Sequence, residues 1–174
     1  MGKYEHLKAK IRDIRDFPTP GVKFRDITPL LEDAAAFKEA IEGLVEFFRD
    51  KNVRKVVGID ARGFLLSSAV AYILGTGMVI VRKKGKLPYN TIVQEHSLEY
   101  GTSTLEIHKD AISKGERVAI IDDVIATGGT AGAAVKLVEA LEGKIVGLGF
   151  LLELSEFPGR KALEPYPLYS LIVY

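Results

Sequence analysis

The sequence predicts an α/β fold, a central, mainly parallel sheet flanked by helices. Three observations lead there. Val118 to Ile121 is a short apolar run patterned like a strand buried on both faces, and a glycine turn carries it into an alanine-rich helix, Ala131 to Leu141. Val53 to Asp60 followed by Leu65 to Leu74 repeats the same strand–turn–helix order. Lys144 to Leu152 adds one more buried strand.

Length and composition narrow the class. The 174 residues suit one domain with a substantial core. With 47% hydrophobic and 27% charged residues, the chain reads as an ordinary globular protein. Lys+Arg 24 against Asp+Glu 23 leaves +1, so no overall field directs the chain to nucleic acid or membrane. No cysteine is present, which excludes disulfides and thiolate chemistry. Met1 to Arg15 lacks the apolar run of a signal peptide, and no window has the length of a membrane span. The expectation is a cytoplasmic protein.

In chain order, Leu7, Ile11 and Ile14 are spaced for a short amphipathic helix over Tyr4 to Ile14. Phe17 to Leu31 holds three prolines and a glycine, which oppose regular structure, yet Phe17, Val22, Phe24 and Ile27 are too apolar for a solvated linker. Such a segment is a packed connection or the wall of a site. Ala35 to Asp50 is a helix whose stripe of Phe37, Ile41, Leu44, Val45 and Phe48 belongs to the core. The strand Val53 to Asp60 ends in Asp60, Ala61 and Arg62, at the kind of carboxyl end where ligands of open α/β sheets gather.

Met78 to Val81 is a strand, and the basic run Arg82 to Lys86 follows it. In a neutral protein with a phosphate-type loop, a polyanion is the economical partner for that run. Ile92 to Leu98 and Thr104 to His108 flank a glycine-containing turn as a hairpin, an excursion suited to a lid over water-sensitive chemistry. From spacing alone, Glu99 in that turn reads as an exposed charge and Tyr100 as a packing aromatic. His6, His96 and His108 show no metal-ligand spacing. Ser155 to Pro165 is turn-rich, and Leu168 to Tyr174 reads as a final, edge strand.

Chemistry concentrates in the stretch from Val118 to Thr130. Asp122 and Asp123 fall where the buried strand ends, and adjacent like charges there cost energy unless something uses them. Ala126, Thr127, Gly128, Gly129 and Thr130 then form a small, hydroxyl-rich turn into a helix. Glycines let successive N–H groups curl inward, and the helix start adds about half a positive charge, an arrangement for phosphate. The aspartates are placed to accept from ribose hydroxyls. No Gly-Lys-Ser/Thr follows, so this is not a Walker loop.

This stretch resembles the phosphoribosyl pyrophosphate motif of the type I phosphoribosyltransferases. Phe17 to Leu31 resembles the N-terminal segment of the adenine-specific branch, Gly58 to Phe64 its pyrophosphate loop, and Ser97 to Gly101 its mobile catalytic loop. The resemblance spans Phe17 to Leu154, with Ile125 for the commoner leucine and Asp60 for the commoner glutamate. It implies the type I phosphoribosyltransferase fold in a single domain, with a small N-terminal hood over about residues 1–34 and a flexible β-hairpin lid over about 83–108. It also implies transfer of the phosphoribosyl group to adenine, giving AMP and pyrophosphate in purine salvage. Magnesium is then held mainly through the substrate, without a dedicated protein site. Ala126 to Thr130 hold the 5′-phosphate. Asp60, Ala61, Arg62, Arg82, Lys83 and Lys86 surround the pyrophosphate, and the Asp60–Ala61 peptide is often cis. Lys23, Phe24, Arg25 and Val124 bind adenine, Phe24 by stacking and its two neighbours through their backbone. Glu99 joins Arg62, Asp122 and Asp123 as catalytic residues, and Tyr100 closes the lid. A homodimer is expected. The same motifs leave open another base, such as hypoxanthine or guanine, or a non-catalytic sensor of phosphoribosyl pyrophosphate.

Overall fold

The computed structural model describes residues 3–98 and 101–174. In chain order, a 3₁₀ helix (Glu5–Lys10) leads to β1 (Arg12–Arg15), β2 (Lys23–Asp26), α1 (Thr28–Glu32) and α2 (Ala34–Phe48). Next come β3 (Lys55–Ile59), α3 (Gly63–Leu74), β4 (Gly77–Lys83), β5 (Thr91–Leu98) and β6 (Gly101–His108). The chain ends with β7 (Arg117–Ile125), α4 (Gly129–Ala140), β8 (Lys144–Glu153), α5 (Gly159–Ala162) and β9 (Leu168–Val173). β1 and β2 pair as a separate antiparallel ribbon, and the other strands form one sheet in the order β5-β6-β4-β3-β7-β8-β9. From β4 to β9 every pairing is parallel, while the β5–β6 hairpin joins the β4 edge antiparallel. The fold is the α/β architecture the strand–turn–helix units predict, with β9 on an edge.

The continuous apolar pattern of the central strands has a direct cause. Along β7, Val118 and Ile120 enter one apolar cluster with Val57, Ile59 and Val138, whereas Ala119 and Ile121 enter another with Leu44, Phe48 and Leu66. Helices cover both faces, so both sets of side chains are buried. Each fully buried Val, Leu or Ile contributes about 1.5–3 kcal/mol. Asp33 starts α2 by accepting from Ala35 N and Ala36 N, both at 3.0 Å. Gly75 ends α3 in the left-handed region at φ 65°.

Four local readings need correction. The N-terminal helix stops at Lys10, and Arg12 to Arg15 leave it to pair with β2, which puts Ile14 opposite Phe24. Leu7 and Ile11 are buried all the same, so their spacing reported burial rather than one continuous helix. The proline-rich segment is more regular than expected, because Pro29 lies in the first turn of α1, where its missing N–H has no intrahelical partner to lose. Arg82 and Lys83 belong to β4 itself. The Asp122–Asp123 pair lies inside β7, which continues to Ile125 along β8 although its pairing with β3 stops at Ile121. The two aspartates thus occupy the stretch by which β7 outruns β3.

That detail locates the site. From β3 the chain crosses to β4 on one side, and from β7 it crosses to β8 on the other. A crevice opens outside the carboxyl ends of two neighbouring strands whose connections diverge in this way.

Candidate active site

Three loops meet at that crevice. The first leaves β3 through Asp60, Ala61 and Arg62, with a cis Asp60–Ala61 peptide. Gly63 then starts α3 against β7, where an added Cβ would stand 2.7 Å from Asp122 Oδ1 and 3.1 Å from Ile121 O. Only a residue without a side chain lets the helix approach the aspartates so closely. Sequence reasoning passed over this glycine, because the strand it must accommodate lies far along the chain.

Arg62 reaches from this loop to two of the other expected site residues. Its Nε lies 2.7 Å from Asp123 Oδ2. The contact is an ion pair without hydrogen-bond alignment, since Oδ2 is buried and accepts no hydrogen bond. The same guanidinium lies 4.9 Å from the centre of the Phe24 ring, as a cation over an aromatic face. Phe24 is half-buried and meets Phe17 edge-on at 5.2 Å. Behind it, Asp26 accepts from Thr28 N at 3.0 Å and Thr28 Oγ1 at 2.9 Å, which fixes the turn after β2. Among the described residues β2 pairs with β1 alone, which leaves its other edge without a partner strand. The side chains beside Phe24 turn elsewhere: Lys23 and Arg25 pair with Asp13, and Arg25 also lies over the Tyr174 ring. Val124 is half-buried and packs against the cluster that holds Leu44 and Phe48.

Burial pushes the Asp122 carboxyl well above the usual carboxylate range, and the neighbouring Asp123 charge adds to the shift. Asp122 Oδ1 accepts from Asp123 N at 2.9 Å. Burial raises Asp123 too, against the pull of Arg62.

The second loop joins β7 to α4. Gly128 takes φ 86° and caps the helix with no side chain at the cap. The start of α4 therefore carries no side-chain cap, and N–H groups left open in this way are a general anion-binding feature of helix starts. A brace arrives from the far end of the chain. Gly159 N donates to Ala126 O at 2.9 Å, and a Cβ on Gly159 would fall 2.2 Å from that oxygen. Thr127 is exposed, and Thr130 Oγ1 lies 3.4 Å from His96 Nε2 of the hairpin. Burial lowers the His96 pKa.

The third loop is the basic turn after β4. Arg82 Nε donates to Asp60 Oδ2 at 3.1 Å and its Nη1 to Lys86 O at 3.2 Å, tying this turn to the first loop. Lys83 and Lys86 are exposed. Glu106, absent from the sequence-based expectations, lies buried beneath the turn. Glu99 and Tyr100 lie outside the described residues. Among the described residues, no three His, Asp or Glu side chains are grouped to hold a metal. The carboxylates present are hard oxygen donors, but Asp60 and Asp123 already face arginines. As hard oxygen donors they suit a magnesium ion.

Comparison with known proteins gives a consistent result. The family model of the phosphoribosyl transferase domain matches residues 29–166. The adenine phosphoribosyltransferase of Brachyspira hyodysenteriae is 56% identical over 168 residues, covering 97% of this chain and 99% of that protein. The crystal structure of adenine phosphoribosyltransferase from Thermoanaerobacter pseudethanolicus superposes with a TM-score of 0.96 at 49% identity, covering 99% of this chain and 100% of that one. The Saccharomyces cerevisiae enzyme, solved with adenine and an imino-altritol bisphosphate, gives 0.90 at 38% identity, covering 97% of each chain.

Proposed function

The chain belongs to the family of adenine phosphoribosyltransferases, and from that membership we infer that it transfers the phosphoribosyl group of phosphoribosyl pyrophosphate to adenine, releasing AMP and pyrophosphate. The observation that carries the reading for this chain's own residues is the convergence of Phe24, Arg62 and Asp123 at the β3/β7 crevice, beside the uncapped start of α4.

We assign the roles as follows. The N–H groups and hydroxyls of Ala126 to Thr130 hold the 5′-phosphate, which supplies binding energy remote from the bond that breaks. Asp122 and Asp123 accept from the ribose hydroxyls. As pyrophosphate departs, positive charge grows on the anomeric carbon near these carboxylates and negative charge on the leaving group. Arg62, Lys83 and Lys86 stabilise the latter, while Arg82 and Asp60 hold the loops in place. Magnesium, when bound, neutralises diphosphate oxygens. Phe24 and Val124 sandwich the base, with the free edge of β2 at Lys23 and Arg25 reading its polar rim. Glu99 serves as acid/base and Tyr100 closes the site by resemblance.

A homodimer in the cytoplasm completes the reading. Leu65, Tyr72 and Ile73 share one exposed face of α3, an apolar surface suited to a second copy, and the chain has no cysteine. The test of function is turnover with magnesium, phosphoribosyl pyrophosphate and adenine, hypoxanthine, guanine, xanthine or orotate in turn. Strong preference for adenine is expected. Turnover of another base in its place would overturn the purine pocket alone, and binding of phosphoribosyl pyrophosphate without any turnover would make the protein a sensor.

A further inference from the structure

Glu106 sits on β6 directly across from Arg82 in the strand ladder, where alternation along the strand would turn it to solvent. It is instead 3% exposed. Its Oε1 accepts from Lys86 N and from Leu87 N, each at 2.8 Å, and its Oε2 from Thr91 Oγ1 at 3.3 Å. Burial alone would raise this carboxyl, but the N–H groups of Leu87, Gly85 and Lys86 outweigh it and hold the group below the usual range. Among the described residues, no lysine or arginine forms an ion pair with it. A buried charge satisfied chiefly by peptide N–H groups is costly unless the segment supplying them must be fixed.

That segment is the basic turn. Lys86 N is tied to Glu106 while Lys86 O is tied to Arg82, so both main-chain groups of Lys86 are fixed and its side chain is left exposed. Lys84 N adds a bond to Thr104 O at 2.9 Å, and Gly85 turns the chain at φ 83°. The charge also lies beneath a run of four cations, Arg82, Lys83, Lys84 and Lys86, whose mutual repulsion would otherwise open the turn.

We propose that Glu106 is a positioning residue for pyrophosphate recognition, whose buried carboxylate holds the basic turn in the shape that presents Lys83 and Lys86 to the diphosphate. The inference rests on the reading of that turn as the pyrophosphate site. It extends the machinery to a residue that touches no substrate.

The test is calorimetric binding of magnesium pyrophosphate and, separately, of AMP to the whole protein. The variants are Glu106→Gln, Thr91→Val and the double variant Lys83→Ala/Lys86→Ala. Gln keeps the shape of Glu but gives up the charge-assisted bonds, so its pyrophosphate Kd and its KM for phosphoribosyl pyrophosphate rise about tenfold. AMP carries no diphosphate, and its Kd stays within about twofold, a split that a merely structural role would not produce. Equal weakening for both ligands, or unchanged pyrophosphate binding in E106Q while the double lysine variant binds weakly, overturns the role of Glu106. Unchanged pyrophosphate binding in the lysine variant overturns the reading of the turn and the inference with it. If E106Q does not fold, T91V decides: about threefold weaker pyrophosphate binding is expected, and an unaltered Kd overturns the proposal.

Discussion

Arg62 Nε lies 2.7 Å from Asp123 Oδ2 while the same guanidinium covers Phe24 at 4.9 Å. One cation therefore occupies two surfaces that the proposed mechanism gives to the substrates, the ribose-binding carboxylate and the base-stacking ring. An incoming diphosphate competes for Arg62 as an anion and, by drawing it away, bares both. Adenine should accordingly bind about five- to tenfold more tightly in the presence of magnesium pyrophosphate than alone, a coupling of about 1–1.4 kcal/mol. Titration of adenine with and without pyrophosphate measures this. In Arg62→Ala the coupling should vanish, and kcat should fall about 100-fold or more through loss of a leaving-group cation.

The proposed stack of the base on Phe24 can be tested separately. A base stacked on an aromatic side chain contributes about 1–3 kcal/mol, so Phe24→Ala should raise the adenine KM by about one to two orders of magnitude. Phe24→Tyr should retain most of the affinity. The KM for phosphoribosyl pyrophosphate should hardly move, and steady-state kinetics that show both KM values rising together would count against the stack.

Asp123→Asn and Thr127→Ala test opposite ends of the phosphoribosyl group. The first should lower kcat/KM about 100-fold, as a developing cation loses its facing carboxylate. The second should mainly raise the KM for phosphoribosyl pyrophosphate, by about five- to tenfold for one lost hydrogen bond to a charged group. Wild-type turnover and affinity in both variants would remove this stretch from the site.

Two buried carboxylates should give stability profiles of opposite slope. Asp122 is raised by burial and by Asp123, so the folded state holds its proton more tightly than the unfolded chain does. Its contribution is complete below the ordinary carboxylate pKa and is lost as pH rises through the raised value. Asp122→Asn should therefore melt higher than the wild type near neutral pH, with the gap closing in acid. Glu106 is lowered, so its contribution is present above the ordinary range and lost as pH falls through the depressed value. Glu106→Gln should melt lower near neutral pH, again with the gap closing in acid. Melting curves of both variants across pH check the signs.

The fold was legible where burial has a short period. The buried strands and the helices behind them announced themselves, and so did the glycine turn at Gly128, because each depends on residues within one stretch. Asp122 and Asp123 were legible as a pair but not as part of the strand, since β7 is lengthened by β8, whose partner residues from Phe150 to Glu153 lie almost thirty positions later. Glu106 was illegible for the same reason. Alternation along β6 marks it as a solvent residue, and only the basic turn folding back over it makes it buried. Glu99 and Tyr100 lie outside the described residues, and their roles rest on the resemblance alone.

Gly159 is the extreme case, and it yields the most direct structural test. Nothing in Ser155 to Pro165 marks this glycine as different from any other turn former. Yet it packs on the loop proposed to hold the phosphate, with its N–H on Ala126 O and an added Cβ placed 2.2 Å from that oxygen and 2.8 Å from Ile125 Cγ1. The obstructing atom is backbone, so it cannot swing aside as the end of a flexible side chain would. Gly159→Ala must push Ala126 and its neighbours toward the crevice or lift α5 off the sheet, at a cost of about 1–3 kcal/mol. Moving the loop spoils the aim of its N–H groups. The KM for phosphoribosyl pyrophosphate should rise about tenfold or more, although residue 159 is not among the residues assigned to the substrate. Gly132→Ala is the control, because the nearest atom to a Cβ there is Leu163 Cδ2 at 3.9 Å, an ordinary contact. That variant should match the wild type in KM and melt no lower, since alanine is the better helix former by about 1 kcal/mol. Equal kinetics for the two variants would mean that the loop holds its shape without the brace.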